Sequence, residues 1–129
     1  MRQVKVALTS RITQEGQSET FHRQGAGQMQ SQGESTRISY LEQGLVPVQI
    51  LLKPGKMLIR RGSKQDYSLL RLDIEKKAAC RYVFQGRQMD LSSVTRKLSF
   101  ADNRKVHVEY DLFSGLYLIG NYAVTLIFT

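Results

Sequence analysis

An all-β single domain spanning residues 1–129 is what this sequence predicts, on three observations. Apolar and polar residues alternate with period two in most of the ordered-looking stretches, the signature of half-buried strands. Turn-forming residues recur at short intervals between those stretches. The length of 129 residues suits one domain with a real hydrophobic core. Many short strands with regular reversals predict a β-sandwich or an up-and-down barrel rather than βαβ units.

The elements follow in order. Val4, Val6 and Leu8 alternate with Lys5, Ala7 and Thr9 near the start, and Glu15-Gly16 separates the first two strands. "GAGQMQ", Gly25 to Gln30, reads as a strand whose glycines permit a bulge or close packing at a bend. "STRISYLE" places Tyr40 and Glu42 in phase and ends at Gln43-Gly44. Lys53-Pro54-Gly55-Lys56 carries proline then glycine at the centre of a type II turn. "RYVFQ" sets Tyr82 and Phe84 on one side and closes at Gln85-Gly86. "SVTRKLSF" puts Val94, Leu98 and Phe100 in one phase, with Arg96 intruding, before Asp102-Asn103. "KVHVEYDL" is the clearest alternation, with Val106, Val108, Tyr110 and Leu112 on one face. After Ser114-Gly115 the last strand puts Leu118, Tyr122, Val124, Leu126 and Phe128 in one phase.

Two features stay open at this level. "SKQDYSLLRLDIEKKAACRYV" fits a helix through Tyr67, Leu70 and Ile74, or a strand through Ser68, Leu70, Leu72 and Ile74 with a turn at Glu75-Lys76-Lys77. "LVPVQILL" and most of "LYLIGNYAVTLIF" are apolar on both faces, which calls for cover by a loop, a terminus or a second copy. Self-association as a homodimer is therefore one expectation.

Composition narrows the partners. The net charge of +8 is concentrated in the middle: Leu45 to Lys105 holds fourteen Lys/Arg against five Asp/Glu, or +9. A basic balance of this kind attracts an anionic ligand, an acidic partner or nucleic acid, or serves solubility alone. Nucleic acid is the weaker alternative, since the segment lacks an aromatic-basic platform. No apolar run approaches the roughly 18 residues of a membrane span, and the N-terminal stretch lacks a continuous apolar signal core. Cys80 is the only cysteine, which excludes an intrachain disulfide and any cysteine-cluster zinc site. A reducing, cytoplasmic setting is the simplest expectation.

No catalytic centre, cofactor loop or metal site is legible. "GAGQMQ" lacks the third glycine of a dinucleotide loop, and "PGKM" lacks the spacing of a phosphate loop. His22 and His107 are the only histidines, and His107 lies on the polar phase of its strand. There is no Gly-x-Ser-x-Gly elbow. Cys80 is in phase with Tyr82 and Phe84, which suits a buried structural thiol. Glu109 and Asp111 share a phase without any spacing that favours catalysis over surface charge. The expectation is a protein that is not an enzyme.

"MLIRRGSKQDYSLLRLD", "RYVFQGRQMDLSSVTRKLSF" and "KVHVEYDLFSG", in that order, resemble the small bacterial YwiB-like family of unknown function. The likeness rests on Arg60 to Gly62 at a strand end, Tyr67 to Ile74, Tyr82 to Gly86, and Tyr110 to Leu112. Two departures stand out: no glycine occurs at Glu75–Lys77, and the family's Tyr-x-Thr element is here Tyr82-Val83-Phe84. The resemblance implies a calycin-like, lipocalin-related antiparallel barrel of about eight to ten strands, with Asp66 to Ile74 as strand. It implies no activity.

In a barrel, Arg60 and Arg61 point to opposite faces, so one of them reaches the interior or its mouth. A guanidinium there needs a carboxylate or carbonyl partner, or an anionic ligand. Arg60, in phase with Leu58, is taken as that residue, with Tyr40, Glu42, Arg71, Tyr82 and Tyr110 as neighbours by strand order. The simplest alternative is an arginine that pairs with Glu42 and seals one barrel end. The leading functional expectation is a binding module for a small, anionic molecule in or at the mouth of the barrel.

Overall fold

The computed structural model describes residues 1–129 as ten antiparallel strands and no helix. These are β1 (Arg2–Gln14), β2 (Gln17–Gln32), β3 (Ser35–Glu42), β4 (Val46–Lys53) and β5 (Lys56–Ser63). They continue as β6 (Asp66–Asp73), β7 (Ala78–Phe84), β8 (Arg87–Ala101), β9 (Lys105–Ser114) and β10 (Tyr117–Phe128). Each strand pairs with the next, and β10 closes onto β1, so the sheet is a closed up-and-down barrel. Of the two architectures the alternation allowed, the barrel is therefore the one adopted. The ambiguous segment after Arg61 is strand through Asp73, paired with β5 from Lys56↔Asp73 to Ser63↔Asp66.

Tight reversals explain the register. The turns at Glu15-Gly16, Gln43-Gly44, Pro54-Gly55, Gln85-Gly86, Asp102-Asn103 and Gly115 all contain residues with positive φ. Those are the Gly, Asn and Asp-rich sites expected of two- and three-residue hairpin loops, although Glu and Gln take the left-handed position at three of them. The β2–β3 turn at Gly33 and the β5–β6 turn at Lys64 also use positive φ. The link from β6 to β7 needs no glycine, because none of its residues has positive φ. Instead the Asp73 carboxylate accepts the Glu75 backbone N–H at 3.0 Å, closing the bend with a side chain.

One face of each strand builds the core. Val4, Val6, Met29, Ile38, Val48, Ile50, Leu52, Met57, Leu72, Val106, Val108, Leu126 and Phe128 are all buried inside. Most belong to the end of the barrel that carries the β4–β5 turn and the C-terminus. Gly25 and Gly27 of β2 face the same interior, where an added Cβ would run into the backbone of Ser39 and Leu41 and the side chain of Tyr40. The close packing expected of "GAGQMQ" is thus a bare stretch of β2 over which Tyr40 lies.

Two bulges overturn part of the phase reading. Register shifts fall between Thr95 and Lys97 on β8 and between Leu118 and Gly120 on β10. Thr95 opposes Tyr110 and Leu98 opposes Val108, both inward pairs, so Arg96 is the extra residue. Val94, opposite Asp111, consequently points outward and is 39% exposed, not in phase with Leu98 and Phe100. Leu118 likewise leaves the phase of Tyr122, Val124, Leu126 and Phe128 and is exposed. A bulge adds one residue to one strand, and a period of two then inverts every assignment beyond it.

Candidate functional site

The interior is filled at one end and open at the other. An eight-stranded barrel is about wide enough to be filled by its own side chains; ten strands leave additional room. That room is a cavity of about 330 Å³ toward the end with the β3–β4, β5–β6 and β7–β8 turns. Its apolar wall comes from Leu8, Ile12, Phe21, Ile50, Ile59, Leu70, Val124 and Leu126. Its polar groups are Ser10, Arg23, Arg61, Ser68 and four tyrosines, Tyr40, Tyr82, Tyr110 and Tyr122.

The arginine that enters the barrel is Arg61, not Arg60. Met57 and Ile59 hold the inward phase of β5, with Met57 fully buried, and Arg61 extends that phase toward the mouth. Arg60 points outward, exposed, with its guanidinium 4.9 Å from the Tyr67 ring centroid on the outer surface. Arg71 is also outward and exposed. The signal was present in the sequence: Arg61 shares its phase with two apolar residues, Met57 and Ile59, and Arg60 with Leu58 alone. Directly after Arg61 comes Gly62, at φ +91° and where an added Cβ would run into the Asp66 carbonyl, a position only glycine takes without strain.

Tyr40, Glu42, Tyr82 and Tyr110 do face the interior, as their phases required. The Glu42 carboxylate is 5% exposed and accepts a hydrogen bond from Arg61 Nη2 at 2.6 Å. Arg23, a residue the sequence reading did not select, approaches the other Glu42 oxygen at 3.7 Å through Nε. Two guanidiniums against one carboxylate leave this corner with one net positive charge. Two polar atoms here are buried without any hydrogen-bond partner, the Tyr40 hydroxyl and Arg61 Nε. Thr95 Oγ1, inward on β8 beside Tyr110, is a third. Buried donors left unpartnered are uncommon and costly, on the order of 1–3 kcal/mol each, unless a water or a ligand completes them.

The tyrosines are held as neutral phenols. Burial, reinforced by the Glu42 charge and partly offset by Arg61, pushes Tyr40 up to about 12. Burial lifts Tyr110 well above the usual phenol range, and Tyr82 and Tyr122 rise for the same leading reason. Tyr110 and Tyr122, opposite one another on β9 and β10, stack with centroids 4.9 Å apart and planes 2° from parallel. Beyond the mouth, Phe84 and Met89 continue the inward phases of β7 and β8 and are 68% and 54% exposed. The mouth therefore carries an apolar rim above a cavity of phenols and one incompletely used guanidinium.

The remaining polar clusters lie outside the barrel. His107 Nε2 meets Glu109 at 2.8 Å and its Nδ1 meets Thr125 at 2.8 Å, on the outward face expected for it. Arg96, extruded by its bulge, bridges Glu109 at 3.6 Å and Asp111 at 3.1 Å. Cys80 is buried, with its thiol directed at the Arg71 carbonyl.

A closed ten-stranded up-and-down barrel, filled at one end and polar-lined at its mouth, places the protein among small antiparallel β-barrels. The chain belongs to the family described as Domain of unknown function (DUF1934), which it matches over residues 6–126. It is similar to the solved structure described as the crystal structure of YwiB protein from Bacillus subtilis, with a TM-score of 0.80 at 16% identity. That similarity covers 98% of this chain and 89% of the other, and at this identity it bears on the fold. No curated protein matches the chain.

Proposed function

We propose that this protein is a non-catalytic binding module that takes a small amphipathic anion in the mouth of its barrel. One observation carries the reading: the Tyr40 hydroxyl and Arg61 Nε, on neighbouring side chains that already feel one another, are both buried and both lack a partner of good hydrogen-bond geometry beside a 330 Å³ cavity. An anionic oxygen between them satisfies both at once, and charge-assisted bonds of that kind are the stronger sort. The apolar walls and the Tyr110–Tyr122 stack suit a hydrophobic body behind the anionic group. Glu42 holds Arg61 in place through Nη2 and stops the corner from carrying two uncompensated charges.

8-Anilinonaphthalene-1-sulfonate, an aryl anion that fluoresces in apolar sites, is the probe. Titration is expected to give saturable, one-to-one binding that Arg61→Met weakens by roughly tenfold or more. Saturable binding unaffected by either Arg61→Met or Tyr40→Phe would sink the reading. Native mass spectrometry of protein purified from its own cells then reads the mass of the resident ligand and the subunit count together.

A second reading, self-association, is favoured by exposed apolar residues at the mouth end. Phe84, Leu116 and Tyr117 are 68%, 100% and 66% exposed, and the closed sheet offers no free edge for strand pairing. Light scattering behind size exclusion tests it, and a monomer mass at high concentration removes it. No helix is long and apolar enough to cross a membrane, a statement that does not bear on strand-built membrane proteins. A cytoplasmic setting is supported by the buried, unpaired Cys80 thiol.

A further inference from the structure

The ladder between β6 and β7 holds for only three residue pairs and stops at Leu69↔Arg81. Past that point the strands separate, and the Arg71 carbonyl accepts hydrogen bonds from Ser93 Oγ at 2.5 Å and from the Cys80 thiol instead. Outside this breach lies a trough of about 380 Å³, near the β4–β5 turn and away from the mouth. Its floor reaches the core residues Met57 and Leu72, and Ala78 and Ala79 line its β7 side.

Five cations line the same trough. Lys53 and Lys56 flank the Pro54-Gly55 turn as register partners, Arg71 projects from β6, and Lys76 and Lys77 come from the β6–β7 link. None of the five takes part in an ion pair, whereas Arg23, Arg61, Arg81 and Arg96 all do. The one acidic lining residue, Asp73, is buried and spends an oxygen on the Glu75 N–H. Glu75 itself belongs to the link but does not line the trough. The balance of +4 is half of the chain's +8, gathered at one opening. Like charges at this density repel one another, and a multivalent anion relieves that repulsion.

We propose that the trough is a second binding site, for an amphipathic phosphate monoester. The phosphate would sit among the ammonium groups and Arg71, which together offer more donors than its oxygens can use. The esterified apolar group would lie against the apolar lining of Leu51, Leu58, Ala78 and Ala79, which gives a purely ionic ligand nothing to bury. The class covers both a soluble ester and the headgroup of an anionic lipid.

The test uses the full chain with 1-naphthyl phosphate as probe, read by calorimetry and by backbone amide shifts. Shifts are expected at Met57, Ala78 and Ala79, with affinity falling steeply as salt rises. The double variant Lys76→Gln/Lys77→Gln alters only exposed link residues and is expected to weaken binding roughly tenfold. It leaves anilinonaphthalene sulfonate binding at the mouth unchanged, which separates the two sites. Inorganic phosphate is expected to bind the same residues more weakly, and 1-naphthol not at all. Co-sedimentation with phosphatidate vesicles that the double variant abolishes assigns the lipid source, and its absence assigns the soluble ester. Shifts confined to the Tyr40 and Arg61 end, or unaltered affinity in the double variant, overturn the proposal. A single-stranded oligonucleotide binding the trough more tightly than the ester also overturns it.

Discussion

At the scale of single residues, the mouth separates stability from binding. The Tyr40 hydroxyl is buried and unpartnered, so Tyr40→Phe removes an unsatisfied group without leaving a cavity. Stability to urea is expected to stay the same or rise by up to about 1 kcal/mol, while sulfonate probe binding weakens. Arg61→Met acts in the opposite sense on stability. It leaves the Glu42 carboxylate buried with only the longer Arg23 contact, a loss on the order of 1–3 kcal/mol in the same urea experiment. Tyr40 also predicts a pH dependence. Its phenol is raised from 10.0 to about 12 in the fold, so the neutral form is favoured there. Stability is therefore insensitive to this group below pH 10 and falls, by an amount on the order of 2–3 kcal/mol, as pH climbs from 10 toward 12. Ultraviolet titration of phenolate, run alongside circular dichroism, should show Tyr40 ionising late and together with loss of the sheet. Phenolate formed in one step at the ordinary phenol value, with the barrel intact, would contradict this.

At the scale of elements, β2 and β3 show why a glycine pair can matter more than a charged cluster. Gly27 has no space for a Cβ, which would meet the Ser39 carbonyl and the Tyr40 backbone. Gly27→Ala is expected to cost about 1–3 kcal/mol and to displace Tyr40. Thermal denaturation reads the first effect, and loss of sulfonate probe binding reads the second. The same scale explains the phase errors. "SVTRKLSF" looks like one alternating strand with a misplaced arginine, but Arg96 is the bulged residue and the residues on either side of it obey opposite phases. A polar residue interrupting an alternation is thus a bulge signal as much as a flaw in the pattern. Nothing local to "RLD" or "AACR" announces that β6 and β7 part after Leu69. Where they part, Ser93 of β8 and Cys80 of β7 take the Arg71 carbonyl in place of a ladder bond.

At the scale of the whole molecule, ten strands close without an edge, and the interior is divided into a plugged end and an open one. Closure requires β1 to meet β10, the two ends of the chain, so the contacts that complete the barrel are the most distant in sequence. Refolding is expected in the millisecond-to-second range typical of non-local β topologies, measurable by stopped-flow tyrosine fluorescence. Microsecond refolding would argue against a closed barrel as the folded state.

By itself, the sequence determined most strands and turns and the inward phases of Val4, Tyr40, Glu42, Tyr82 and Tyr110, because period-two patterning and turn chemistry are local, while its pattern left Asp66 to Asp73 divided between helix and strand. It contained the evidence for Arg61 as well, in the apolar residues Met57 and Ile59 that share its phase. Tertiary structure alone decided the rest. Arg23 joins Glu42 only once β2 lies beside β3, and the four tyrosines converge only when β10 closes on β1. The five cations line one trough only once β4, β5, β6 and the β6–β7 link lie side by side. Such groupings depend on strand number, bulges and closure, which set distances between residues far apart in the chain and leave no periodic trace within any one segment.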